Sequence, residues 1–337
     1  MTAVRERVSP AAVVPGGRAP ARTPRGALTA AAVLVLAAAL VLPLAASTYY
    51  IRLVTGIYMF GVLASAWNFI GGFTGYADFG GAAFFGIGAY TTGILMTRVH
   101  TAFSAAVPAG CVVAAAAAAG MGSLLLRLRG HYFSIATLGF MLVLQQLSQN
   151  LEVTGGGGGM NLPVASTFTT FYYWMLAVLV LAVGTAAALP RSRIGYTLAA
   201  IRENQDAAQV LGIEPLPYKI FAYAANAFFF SAAGGIYAYW FTFIDPPTVF
   251  NVDFTIQAVV MAIFGGSGTA IGPVVGAAIL RGLDIVFTNA SVFLHDIFFG
   301  ALICLLVIFA PSGLAELIEA RGRLLDAIRA TLRESRV

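Results

Sequence analysis

Arg281 and Asp284 stand three residues apart inside an apolar stretch, 270–290. That spacing puts guanidinium and carboxylate on one helix face, where they can pair. A lone charge in hydrocarbon is costly, so the pair reads first as a structural ion pair and second as a solute contact. Other polar side chains interrupt apolar runs at Asn68, Asp78, Gln145, Gln146, Gln149, Asn150, Asn226 and Gln257. The 145–150 cluster lies near the end of its run, where interfacial hydration accounts for it as well as function does. Asp78 opens a Gly-rich run, and helix capping is the alternative reading there. No catalytic residue is assigned. The three histidines, His100, His131 and His295, fall in no HExxH pattern, and no GxSxG occurs. Cys111 and Cys304 lie in apolar runs without a CxxC pair, so they read as small hydrophobes, and no metal or cofactor is expected. A phosphate-cradling Gly-x-x-x-x-Gly-Lys-Ser/Thr loop is absent, so the chain itself is not expected to bind ATP.

The elements that hold these groups must be membrane helices. The 337 residues are 59% hydrophobic and only 10% charged, against about 25% charged in soluble domains. A spanning helix needs roughly 20 mostly apolar residues. Candidate segments are 27–47, 52–71, 77–97, 103–126, 132–150, 170–189, 217–243, 254–266, 270–290 and 292–310. The expected fold is therefore an all-α integral membrane protein of about ten transmembrane helices, with 254–266 short for a full crossing. Lys and Arg mark the cytoplasmic side. Sixteen of the 19 basic residues fall in the N-terminal tail, at 127–129, in 190–219 and in the C-terminal tail if both termini are cytoplasmic. The segments 151–169 and 244–253 hold no basic residue and fall outside. The implied organisation is a disordered cytoplasmic tail over 1–26, a polytopic domain over 27–312 and a cytoplasmic tail over 313–337. Net charge of +5 is thus a matter of topology, with no implication of nucleic acid.

Two segments are dense in glycine: Gly80, Gly81, Gly86 and Gly88, and Gly265, Gly266, Gly268 and Gly272. Small residues allow close helix approach and breaks where backbone lines a cavity, so these positions are candidates for packing, for the pathway, or for both. Phe79-Gly80-Gly81 and Phe264-Gly265-Gly266 form a weak internal echo of the kind repeated transporters carry.

The loop 190–217 is the most informative segment. Leu198, Ile201, Ala208 and Leu211 fall near one face of a helix, and Arg202, Glu203 and Asp206 on another. Gly212 is a stop signal, and Pro215 and Pro217 prevent continuation. A short amphipathic helix is expected there on the cytoplasmic side. It either rests on lipid or docks a partner, and its mixed charge suits a protein groove better than an anionic surface.

Four ordered stretches carry a resemblance. Ser192 to Ile213, followed by Tyr218-Lys219, resembles the coupling loop of the LivM-type subunit of branched-chain amino acid ABC permeases. Arg129 to Phe140, Gly75 to Tyr90 and Gly265 to Ala277 are similar to three further motifs of that subunit. Together they span roughly residues 50–312. The resemblance implies a permease working in the inner membrane with a second, LivH-like permease, two cytoplasmic ATPases and an external solute-binding protein. It implies that Ala200, Ile201, Arg202, Glu203, Asn204, Asp206, Ala207, Ala208, Leu211 and Gly212 contact the ATPase. The solute is a branched-chain amino acid, or urea, a short amide or an aromatic acid. An ion-coupled secondary transporter is the rival, and should show a relay of deep acids. A membrane-embedded enzyme lacks its constellation.

Overall fold

The structure, a computed structural model, describes residues 25–164, 168–290 and 300–301. Helix α1, Arg25–Ala45, stands as a unit by itself, carrying Pro43 near its end. Everything from Ala46 onward belongs to a second unit. Its helices are α2 (Thr48–Thr74), α3 (Gly81–Arg98), α4 (Phe103–Leu125), α5 (His131–Asn150), α6 (Phe168–Ala188), α7 (Arg193–Glu203), α8 (Gln205–Val210), α9 (Pro215–Phe241), α10 (Pro246–Val249), α11 (Val252–Gly265) and α12 (Gly272–Ala290).

Helices α2 and α9 form the centre. α9 packs on α2, α3, α4 and α6, and α2 also on α11 and α12. Both are apolar all round, which is the pattern of a helix surrounded by protein. On α2 the run from Met59 to Ile70 is buried without a break. α4, α5 and α6 instead expose aliphatic faces, including Val112, Val113, Ile135, Val143, Val180 and Leu181. Such a surface suits hydrocarbon rather than water. α2 stops because Gly75 takes a left-handed conformation (φ 76°) and its N–H bonds to Gly71 O. α9 begins with prolines in its first turn, where no backbone donor is lost.

Of the ten expected segments, nine coincide with helices among the described residues. The tenth, 292–310, lies outside them except at 300–301. Five helical stretches are long and apolar enough to span outright: α2, α4, Phe168–Arg191, α9 and Pro246–Gly265. The count of ten is therefore approximate. α11 alone is short, as the sequence implied, but α10 precedes it and the two together make 20 residues.

The glycines make helix seams. A methyl on Gly88 would overlap the Ser231 backbone, and one on Gly234 the Phe85 backbone, so α3 and α9 meet at their main chains. Gly265 and Gly272 likewise press against each other where α11 turns into α12, and Gly266 and Gly268 supply positive φ in that turn. Gly80, Gly81 and Gly86 abut Thr137, Phe230 and Phe250. Packing thus accounts for these positions. The Phe-Gly-Gly echo is not a structural one: Gly81 opens α3, whereas Gly265 closes α11.

At the end of the bundle where α3 finishes and α4 starts, two connecting segments join. Strand β1 (Met160–Asn161) pairs antiparallel with β2 (Phe243–Ile244).

Candidate functional site: the coupling segment and its anchors

Helices α7 and α8 lie at the other end, beside the last turns of α2 and α4 and the first turn of α9. Ser192 caps α7, its Oγ accepting from Gly195 N–H at 3.1 Å. Leu198 and Ile201 are buried beneath it. The chain then breaks at Asn204 (φ −160°, ψ 107°), whose Oδ1 accepts from the N–H groups of Asp206 and Ala207, each at 3.0 Å. The expected single helix is therefore two, because the Asn side chain takes donors that a continuous helix would use itself. Gly212 ends α8 with φ 84°, as its position implied.

Three contacts bind this segment to the bundle. Arg202 Nη1 donates to Gly72 O at 2.7 Å, reaching the last turn of α2. The same guanidinium lies over Gly268, where an added Cβ would come within 2.6 Å of it. Beside it, the Asn68 amide holds the α11–α12 turn, accepting from Gly268 N–H at 2.7 Å and donating to Thr269 O at 2.8 Å. The coupling segment, α2 and that turn thus share one junction.

The second anchor is Lys219, only 2% exposed. Its ammonium donates to Leu126 O (2.8 Å), Tyr76 Oη (3.0 Å) and Gln205 Oε1 (3.3 Å). It also sits 4.4 Å over the Tyr76 ring. Tyr76 Oη in turn donates to Gln205 Oε1 at 2.6 Å. Burial holds the Tyr76 phenol above its ordinary pKa, with Arg129 lowering it and Asp206 raising it, so the phenol keeps the proton this bond needs. The third contact is an exposed ion pair, Arg129 to Asp206, at 2.9 Å.

The proposed contact residues divide accordingly. Ile201 and Ala208 are buried, and Ala200 is half-buried. Arg202 points back to α2. Glu203, Asn204, Asp206, Ala207, Leu211 and Gly212 are exposed. Leu211 was placed on the inner face with Leu198, but the break at Asn204 turns it outward. It is 80% exposed, next to Val210 at 87%. Lys219, Tyr76 and Gln205 were not singled out from sequence. The available signal was Lys219 itself, a lysine in the opening turns of an apolar helix.

Arg281 and Asp284 form the expected ion pair. Asp78 is fully buried, accepting from Gly80 N–H at 2.8 Å and Asn226 Nδ2 at 2.9 Å. It therefore closes the turn into α3, combining the capping role with a bond to α9.

The family model for the branched-chain amino acid transport system permease component matches residues 49–307. The chain belongs to that family. Over 330 residues it is 29% identical to the high-affinity branched-chain amino acid transport system permease protein LivM of Escherichia coli K12, covering 87% of this chain and 76% of that one. It is 27% identical over 209 residues to the probable LivM of Methanocaldococcus jannaschii, covering 56% of this chain and 61% of that one. A third relative is the autoinducer 2 import system permease protein LsrC of Yersinia enterocolitica, 30% identical over 164 residues, 45% of this chain and 44% of that one. No solved structure matches. The chain is thus a multi-pass membrane permease subunit of LivM type.

Proposed function

We propose that this LivM-type permease carries branched-chain amino acids across the inner membrane as one subunit of an ABC importer. A second, LivH-like permease completes the pathway, two cytoplasmic ATPases drive it, and an external binding protein delivers the solute. Both termini face the cytoplasm, as does the end bearing α7 and α8. The observation that carries the reading is the wiring of α7 and α8. Their outer face offers Glu203, Val210 and Leu211 to a partner, while Arg202, Gln205 and Lys219 tie their inner face to α2, α4, α9 and the α11–α12 turn. A push on the outer face is transmitted to helices on both sides of the bundle, which is what a coupling lever requires. Under this reading Glu203, Leu211 and Gly212 contact the ATPase, and Arg202 and Ala208 hold the lever to the permease. The acids an ion-coupled carrier would use are committed elsewhere, Asp284 to Arg281 and Asp78 to Gly80 and Asn226.

The test is co-purification of the tagged chain from its native host in mild detergent. Two ATPases and a second permease should come with it, and Glu203→Lys or Gly212→Pro should lose the ATPases while membrane insertion persists. A chain recovered alone that drives ion-coupled uptake in liposomes would overturn the proposal.

A further inference from the structure

A cleft of about 330 Å³ opens between α2, α9, α11 and α12, toward the end opposite α7 and α8. Its size is at the small end of ligand pockets, roughly 300–1,000 Å³. Phe60, Tyr237 and Phe254 give it aromatic walls, Gln257 and Arg281 give it polar ones, and Asp253 stands at its exposed rim. None of the glycine-rich positions singled out from sequence lines it.

Two polar groups set its chemistry. The Arg281 guanidinium lies 4.8 Å over the Phe60 ring and pairs with the buried Asp284. The pair cancels in charge, yet a guanidinium has five N–H donors and one carboxylate does not take them all. The second group is Gln257 Oε1, which is enclosed and has no hydrogen-bond partner. Such an acceptor costs about 1–3 kcal/mol while it stays unpaired. The cleft therefore offers donors on α12, an unmet acceptor on α11, and apolar rings between, with no net charge from the ion pair.

We propose that this cleft is a transit site for a small zwitterion with an apolar side chain. Arg281 receives the carboxylate, Gln257 Oε1 accepts from the ammonium, and Phe60, Phe254 and Tyr237 enclose the side chain. A zwitterion satisfies both polar groups and leaves the cleft neutral. A simple carboxylate or amine satisfies one and brings an uncompensated charge. The inference rests on the permease reading and deepens it by assigning the solute's recognition to named residues. It also links to the opposite end. α11 and α12, which carry Gln257 and Arg281, meet in the turn held by Asn68 and covered by Arg202. Movement of α7 would alter the distance between the two polar groups.

Gly56 provides the test, since it lines the cleft and an added Cβ meets nothing within 4 Å. Gly56→Cys is placed in a chain with Cys111→Ala and Cys304→Ala, assembled with its partner subunits in native membranes. Unmodified, it should import leucine as its cysteine-free parent does. A membrane-impermeant methanethiosulfonate reagent applied outside should then cut import by about tenfold or more, the loss expected when a binding contact worth over 1.4 kcal/mol is blocked. Millimolar leucine should slow the modification, while isopentylamine and 4-methylpentanoate, each lacking one charged group, should protect far less. Gln257→Leu, added to Gly56→Cys, should remove leucine's protection while ATP hydrolysis persists. Complete modification with unchanged import would put the cleft off the pathway and overturn the proposal. No modification would show the cleft closed by another chain and overturn it equally. Equal protection by all three compounds would overturn the zwitterion assignment. A parent complex that imports no leucine would instead sink the solute reading, and the protection assay, which needs no import, would still decide the cleft.

Discussion

Lys219 carries three hydrogen bonds at a depth where lysine is seldom found without partners. Its role depends on what it leaves behind when removed. Lys219→Met keeps the bulk of the stem but strands Leu126 O and takes the positive charge off Tyr76. The expected cost is about 2 kcal/mol. It should appear as a lower temperature at which the detergent-solubilised chain loses its monodisperse size-exclusion peak. Gln205→Leu should act in the same direction, since Gln205 Oε1 accepts from both Tyr76 and Lys219. Of the residues here, the sequence made Arg281, Asp284, Asn68 and Asp78 visible, because each is polar within an apolar run. It left Tyr76 and Gln205 unmarked. Both lie in connecting segments where polar residues are ordinary, and only their convergence on Lys219 distinguishes them.

Between elements, the decisive features are a break and a seam. Asn204 separates α7 from α8 and caps α8. Asn204→Ala should weaken that cap by about 1 kcal/mol, read as faster hydrogen exchange at the Asp206 and Ala207 amides with Leu198 and Ile201 unchanged. The helix-stop signals at Gly212 and Pro215 were legible in the chain. The break was not, because Asn is tolerated in helix interiors and its capping geometry is a choice between local hydrogen bonds. The seam between α3 and α9 gives a paired prediction. Gly120→Ala in α4 meets nothing within 4 Å and should stabilise the chain by up to about 1 kcal/mol, through helix propensity alone. Gly88→Ala places its methyl into the Ser231 backbone and should lower the yield of folded protein despite the same gain in propensity. Equal thermal stability of the two variants would contradict the seam.

At the scale of the molecule, orientation is the property still to be measured. Tyr196 is exposed on α7 and Val164 beyond β1, at opposite ends of the helical unit that begins at Ala46. In a cysteine-free background, Tyr196→Cys should react with an impermeant thiol reagent only after the membrane is opened, and Val164→Cys in intact cells. The reverse pattern would invert the topology. Composition alone determined that the chain spans a membrane many times: 59% hydrophobic residues in runs of helical length have no other stable solvent. The alternation of basic and base-free connections determined which ends belong together, and the motif order determined the family. These are one-dimensional properties, fixed by transfer free energies that each segment contributes by itself. The tertiary structure decided what depends on convergence. It showed which glycines are contact surfaces, that Arg202 faces inward while Leu211 faces out, and that Lys219 joins three segments. It also set Gln257 across a cleft from Arg281, 24 residues later in the chain. Hydrogen-bond partners and cavities belong to pairs of helices, and no single segment specifies its partner until the helices have packed.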